Sequence, residues 1–187
     1  MRTTTPTPEE MERYIARFED LPANKDRTAG KIPPEAREMM TARATRTVIA
    51  TASEDTPWGN GVIAGPENFT VVIAECDAGN GPGLHSHAHA TETFTCLQGQ
   101  FRIEWGDKGE HSIELNKFDT IAVPPKIMRR FENTSDETGL LHVTLQGPPR
   151  DVEFAPSVGE DLRERFGEEV VNELLGLGYT FNAGIED

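Results

Sequence analysis

The sequence predicts a mainly β protein, an antiparallel barrel or sandwich with helical extensions at both ends. Three observations carry that expectation. Short runs rich in β-branched and aromatic residues fill the middle of the chain, Gly, Asp and Asn separate them, and helix-type apolar spacing is confined to the termini. No internal repeat interrupts this pattern, so one barrel is expected rather than two fused copies.

Taken in order, the first element is a helix in "TPTPEEMERYIARFEDLP". Thr7 is suited to cap it, Pro8 to open it, and Glu9 and Glu10 to meet its positive end; Pro22 follows its expected close. A second short helix is expected in "PPEAREMMTAR", 33–43. Strands are then expected at 45–52, 68–76, 92–98, 100–106, 111–115, 119–124, 127–133 and 139–146. Gly99 in "LQGQF" supplies the backbone freedom of a tight hairpin. In the last segment Ser157 is the expected cap, and Leu162, Phe166, Val170, Val171, Leu174 and Leu175 recur at helical spacing. Gly167 should break that helix, and Gly176 and Gly178 should end it. The expected organisation is a helical arm over 1–44, a barrel over 45–150 and a helical segment over 151–187.

Composition narrows the function classes. The chain has 187 residues, enough for one domain, and 32 acidic against 18 basic residues give a formal charge of -14. Such a surface repels phosphate backbones and anionic lipid, so neither nucleic acid nor membrane is an expected partner. No signal-type apolar segment opens the chain, and no run approaches the ~18 apolar residues of a membrane span. Cys76 and Cys96 do not form a CxxC pair and read as free thiols. A soluble, cytoplasmic protein is expected. "GNGPG" does not match a phosphate-binding glycine loop and precedes no helix, and no nucleophile elbow is present.

The chemistry concentrates in "GNGPGLHSHAHATETFTCLQG", 79–99, which holds His85, His87, His89 and Glu92. Residues two apart on a strand face one side, so His85 and His87 can converge, roughly 6–7 Å apart at Cα. His85 and His89 would stand about 13 Å apart on a straight strand, near the limit for one ion. His89 is therefore expected as an alternate ligand or a supporting group. If the chain reverses at "AHAT", Glu92 opens the next strand and faces the histidines, with Phe94 and Cys96 on the same inward face. Two imidazoles and one carboxylate are the ligand set of non-haem Fe(II) oxygenases, and Mn, Ni, Co or Zn would also fit.

These residues resemble the first motif of the cupin superfamily, G-x5-H-x-H-x3–4-E-x6-G. Gly79, His85, His87, Glu92 and Gly99 satisfy every position, and the motif selects His85 and His87 as the pair. The second motif, G-x5-P-x-G-x2-H-x3-N, is met only in part by "FDTIAVPPKIMRRFEN". Pro124 and Asn133 match, Phe118 and Lys126 stand in place of glycines, and Arg129 stands where a fourth metal ligand is expected. The resemblance spans roughly 45–150 and implies a double-stranded β-helix, or jelly-roll, barrel of the quercetinase-like and RmlC-like kind.

A guanidinium stays protonated and cannot ligate. Three placements of Arg129 are open: gripping a substrate carboxylate beside a metal held by His85, His87 and Glu92; pairing with Glu92; or pointing outward with the register slipped by one. His142, in "GLLHVTLQ", is a further candidate for the pocket, as is Phe94.

The resemblance implies a metal-dependent enzyme, foremost a dioxygenase acting on a small anionic or enolic molecule. Its cofactor would be one divalent transition metal, Fe(II) first. Glu92 and Arg129 are the expected catalytic residues, and Arg129, His142 and Phe94 the expected substrate contacts. A non-enzymatic barrel that binds or senses a small molecule is the alternative, and metal-dependent isomerases and decarboxylases share the barrel. A homodimer assembled through sheet edges and the N-terminal arm is expected.

Overall fold

The computed structural model describes residues 1–24, 30–51 and 58–184. The last residue of the run expected at 45–52 and the first two of "TPWGNG", 56–61, lie outside the described residues.

The middle of the chain forms two facing sheets. Its strands are β1 (Ala44–Ala50), β2 (Ile63–Ala64), β3 (Phe69–Cys76), β4 (His85–Ser86), β5 (Thr91–Gln98), β6 (Phe101–Trp105), β7 (His111–Leu115), β8 (Thr120–Val123), β9 (Arg129–Asn133), β10 (Gly139–Gln146) and β11 (Glu153–Phe154). One sheet runs β2-β1-β3-β10-β5-β8 and the other β11-β4-β9-β6-β7. Every pairing within them is antiparallel except β1 with β2. The eight expected strands are all present within two residues of their expected ends. The two-residue strands β2, β4 and β11 were not among them, since two residues carry no periodicity to read. Because β11 joins the sheet of β4, the sheet structure extends past residue 150.

Alternation places one face of each long strand inside. Along β10, Leu141, Val143 and Leu145 are buried while His142 and Thr144 are only partly so. Phe94 and Cys96 of β5, Phe101 and Ile103 of β6 and Phe131 of β9 meet the inward residues of β10 and β3 in one core between the sheets. Its aromatic rings pack edge to face: Phe94 and Phe131 centroids lie 5.4 Å apart, and Phe101 and Phe131 centroids 6.2 Å. Gly99 turns the β5–β6 hairpin with φ +80°, the left-handed conformation that glycine tolerates best.

A second core joins the two ends of the chain. Ile32, Ala36 and Met40 from the arm pack with Phe154, Val158, Leu162, Val170, Val171 and Leu174. The last five come from α3 (Pro156–Phe166), Val158 from its first turn, and α4 (Glu168–Gly176). Gly167, at φ +87°, breaks the two helices as expected. Ser157 is not the cap: Ala155 holds that position, because Pro156 occupies the first helical site and fixes the start two residues earlier than the polar side chain suggests.

The N-terminal helix is shorter than its pattern. Thr7 and Glu10 form a capping box, with Thr7 N–H donating to Glu10 Oε2 at 2.7 Å and Glu10 N–H to Thr7 Oγ1 at 3.2 Å. The helix α1 nevertheless runs only Pro8–Met11, and single 3₁₀ turns follow at Glu12–Tyr14 and Phe18–Asp20. Residues 1–14 are exposed throughout, so no tertiary partner repays the cost of extending an isolated helix. The second arm helix, α2, spans Pro34–Glu38 and buries Ala36. Among the described residues no helix is long and apolar enough to cross a membrane.

Candidate metal centre

Strands from both sheets bring the first-motif residues together. His85 lies on β4 between Arg129 of β9 and Phe154 of β11, His87 just beyond it, and Glu92 on β5 between Val123 and Leu145. All three are buried, at 5%, 2% and 5% exposure. One potential ligand atom from each lies within 4.8 Å of the others. Nε2 of His85 is 3.6 Å, and Nε2 of His87 3.4 Å, from Glu92 Oε2.

The far side of each ring decides what the near side can do. His85 Nδ1 meets the carbonyl of Gly83 at 2.9 Å, and His87 Nδ1 meets the carbonyl of Asp151. A carbonyl oxygen only accepts, so both Nδ1 atoms donate, and in the neutral rings both Nε2 atoms are left as acceptors. Burial holds His85 below the ordinary imidazole range and so favours the neutral form, against the pull of Glu92. Burial raises the Glu92 carboxyl, and a proton on the Nε2 of His85 or His87 outweighs it and holds Glu92 well below the usual carboxylate range; with both rings neutral that proton is gone. Three acceptors therefore converge on one point, and Glu92 Oε2 is buried without a hydrogen-bond partner. A cation at that point satisfies all three, and two imidazoles with one carboxylate suit a divalent transition metal.

Arg129 sits inside, on the parity that the unslipped register gives, and is fully buried. Its Nε is 3.8 Å from Glu92 Oε2, an ion-pair distance longer than a hydrogen bond. Its Nη2 donates to the Pro124 carbonyl at 2.9 Å, while Nε and Nη1 have no hydrogen-bond partner. Desolvation lowers its pKa, opposed by Glu92 and Asp151. The guanidinium reaches toward β8, where its Nη2 meets the Val123 and Pro124 carbonyls, and Arg129 is not among the residues that line the cavity beside the histidines.

Three other expected site residues also stand elsewhere. His89 is on the surface with its side chain 74% exposed, because the chain turns outward after His87; its Nδ1 is 3.4 Å from an Asp151 carboxylate oxygen. His142 faces away from the core, since the apolar side of β10 is the inward one. Phe94 is inward but lies one layer behind, against Phe131, whose side chain lines the cavity instead. Cys96 is buried, its thiol directed at the Gln98 and Gly99 carbonyls and pushed up in pKa by burial.

The triad opens into a cavity of about 110 Å³. Its walls include Val72, Val143, Leu145, Phe131 and Phe154, with Trp58 and residues of both terminal extensions over it. Gly83 and Asp151, which orient the histidines through backbone carbonyls, were not readable in the sequence, because a carbonyl partner leaves no signature in residue type.

Residues 72–145 match the family model described as Cupin domain. Quercetin 2,3-dioxygenase of Bacillus subtilis (strain 168) is 35% identical over 79 residues, which cover 42% of this chain and 23% of that protein. The match thus spans about a quarter of the curated relative's length. Among solved structures, a Klebsiella pneumoniae protein with a double-stranded β-helix domain is 18% identical, covers 44% of this chain and 70% of its own, and has a TM-score of 0.40. KdgF from a Halomonas species is 13% identical, with 56% and 79% covered and a TM-score of 0.42.

Proposed function

We propose that this chain, whose residues 72–145 match the cupin-domain model, is a mononuclear metal-dependent dioxygenase of a small organic anion or enol. The observation that carries the reading is the convergence of His85, His87 and Glu92, three buried acceptors with no proton donor among them other than an imidazolium. The likeness to quercetin 2,3-dioxygenase over 79 residues supports the reaction class.

His85, His87 and Glu92 would hold the metal, and Fe(II) is the ion this ligand set suits first. Bound there, it supplies Lewis acidity and a meeting point for substrate and dioxygen. Around it the chain's own residues do the rest. Gly83 and Asp151 fix the ring tautomers through their carbonyls, and the apolar walls from Val72, Val143 and Leu145 keep water from the reacting centre. Glu92, a carboxylate at neutral pH, can take up a proton as a substrate hydroxyl loses one.

A barrel that binds a small molecule without turning it over is the second reading. One observation favours it: the positive charge of Arg129 stands 3.8 Å from Glu92 and opposes cation binding. Metal content decides between them. Protein purified without chelators should carry close to one equivalent of transition metal; His87→Ala and Glu92→Gln should lose most of it, and His89→Ala should keep it. Full retention in His87→Ala, or metal-free wild-type protein that consumes no dioxygen with enolic or diketone substrates after Fe(II) loading, sinks the enzymatic reading.

A further inference from the structure

Residues well away from the triad line the same cavity, and its two ends differ chemically. On β3, Thr70, Val72 and Ala74 face it at period two, a span of roughly 13 Å. Cross-strand register fixes which end is which. Thr70 pairs with Leu145, and Leu145 with Glu92, so the triad stands at the Thr70 end. Ala74 pairs with Thr45, whose backbone bridges to Asn24. Arg37 belongs to that same end: it lines the cavity from α2, and its Nη2 donates to the carbonyl of Arg43, next to the first residue of β1.

Besides Glu92 Oε2, two polar groups in this lining lack partners. Thr70, 1% exposed, has a buried Oγ1 with no hydrogen bond, and so does the buried Nε of Arg37. Buried donors and acceptors are almost always satisfied, and a ligand is one way to satisfy them. Charge points the same way. The chain is strongly acidic overall, yet no carboxylate among the described residues forms an ion pair with Arg37. Between the two ends the walls are apolar and aromatic, through Val72, Val143 and Phe131.

We propose that Arg37 binds the carboxylate of an elongated substrate whose apolar middle lies along Val72 and Val143 and whose oxygen-bearing head reaches the triad beside Thr70. The substrate class is therefore an extended monocarboxylate, apolar in the middle, with a hydroxyl or enol oxygen at the far end. The assignment rests on the metal-centre reading for the head and on Arg37 for the tail. Arg37 lies outside the matched residues 72–145, so the N-terminal arm selects the substrate while the barrel holds the reacting centre.

Calorimetry on the full-length, zinc-loaded protein tests this, zinc being redox-inert so that no turnover intervenes. The probes are 3-(3,4-dihydroxyphenyl)propanoate and its methyl ester, which share the head and differ only in tail charge. Wild-type protein should bind the acid at least tenfold more tightly than the ester. Arg37→Gln should erase that difference while leaving ester affinity and zinc stoichiometry unchanged, and Arg37→Lys should keep part of it. Equal affinity of wild-type protein for acid and ester overturns the proposal whatever the variants do, as does an Arg37→Gln protein that still prefers the acid as wild type does. Zinc content on the same samples separates the two readings: wild-type protein that fails to hold zinc counts against the metal centre, and zinc-replete protein without an acid preference counts against Arg37.

Discussion

Arg129 concentrates the site's electrostatics in one side chain. It lies fully buried with hydrogen bonds from Nη2 alone, to the Pro124 carbonyl at 2.9 Å and to the Val123 carbonyl at 3.5 Å, and its charge is balanced mainly by Glu92 at 3.8 Å. Two opposing effects follow. Removing the guanidinium leaves Glu92 as an uncompensated buried carboxylate, which typically costs 3–5 kcal/mol, so Arg129→Met should be destabilised by about that much without metal. The same removal takes a positive charge away from the cation's ligand. At an effective dielectric of about 20, unit like charges roughly 6 Å apart repel by on the order of 3 kcal/mol and a divalent ion by about twice that, so metal affinity should rise by well over tenfold. Denaturant melts of the metal-free protein and competition against a chromophoric chelator read the two separately. Weaker metal binding in Arg129→Met would mean that the guanidinium serves to orient Glu92, not to moderate its charge. The sequence revealed the substitution of an arginine for the expected ligand and left open which side of the strand it takes. It could not reveal that the guanidinium turns toward β8, because that depends on where the Pro124 carbonyl stands.

At the level of elements, the second motif departs from its pattern in residue type while the backbone keeps the conformation that the pattern encodes. Phe118 and Lys126 stand where glycines are expected, and both have positive φ, +75° and +64°. Each is held there by a backbone bond: Phe118 N–H donates to the Cys96 carbonyl at 2.7 Å, and Lys126 N–H to the His87 carbonyl at 2.8 Å. An L side chain in this region costs roughly 1–2 kcal/mol. Phe118 is 70% exposed and little packing would be lost with it. Phe118→Gly should therefore stabilise the protein by about 0.5–1 kcal/mol after the added freedom of the unfolded glycine, measured as a higher denaturant midpoint at constant slope. A lower midpoint would show that the ring, with Lys117 Nζ 5.1 Å from its centroid, contributes more than the backbone strain. Asn133 illustrates the conserved part of the same motif. Its Nδ2 donates to the Cys76 and Glu137 carbonyls and its Oδ1 accepts from Ser135, so it ties β9 to the end of β3 and to the connection that leads into β10. Strand periodicity made the long strands legible from sequence. It had nothing to offer for β4, where two residues carry a metal-ligand candidate, and the isolated N-terminal helix failed because local propensity without a buried face does not sustain it.

Across the whole molecule, the centre is assembled from segments far apart in the chain. His85 belongs to the five-stranded sheet and Glu92 to the six-stranded one, while His87 is held by Asp151 from the connection between β10 and β11. The cavity is finished by Arg37 from the arm and Tyr179 from beyond α4. A short motif can announce the first three because they lie within eight residues of one another. The register that sets Thr70 and Arg37 at opposite ends of the cavity is a long-range property, and no local spacing encodes it. One consequence concerns stability. A cation that joins ligands from both sheets must be released before the sheets can separate, so its binding free energy should appear in global unfolding and not merely in local order. At a free metal concentration 100-fold above Kd, mass action contributes about 2.7 kcal/mol, which for a chain of this length raises Tm by roughly 5–10 °C. The rise should be reversed by a chelator and absent from His87→Ala. A metal-dependent shift of the same size in His87→Ala would place the cation at another site, and no shift in wild-type protein that binds one equivalent would mean that the two sheets separate with the ion still held by the unfolded chain.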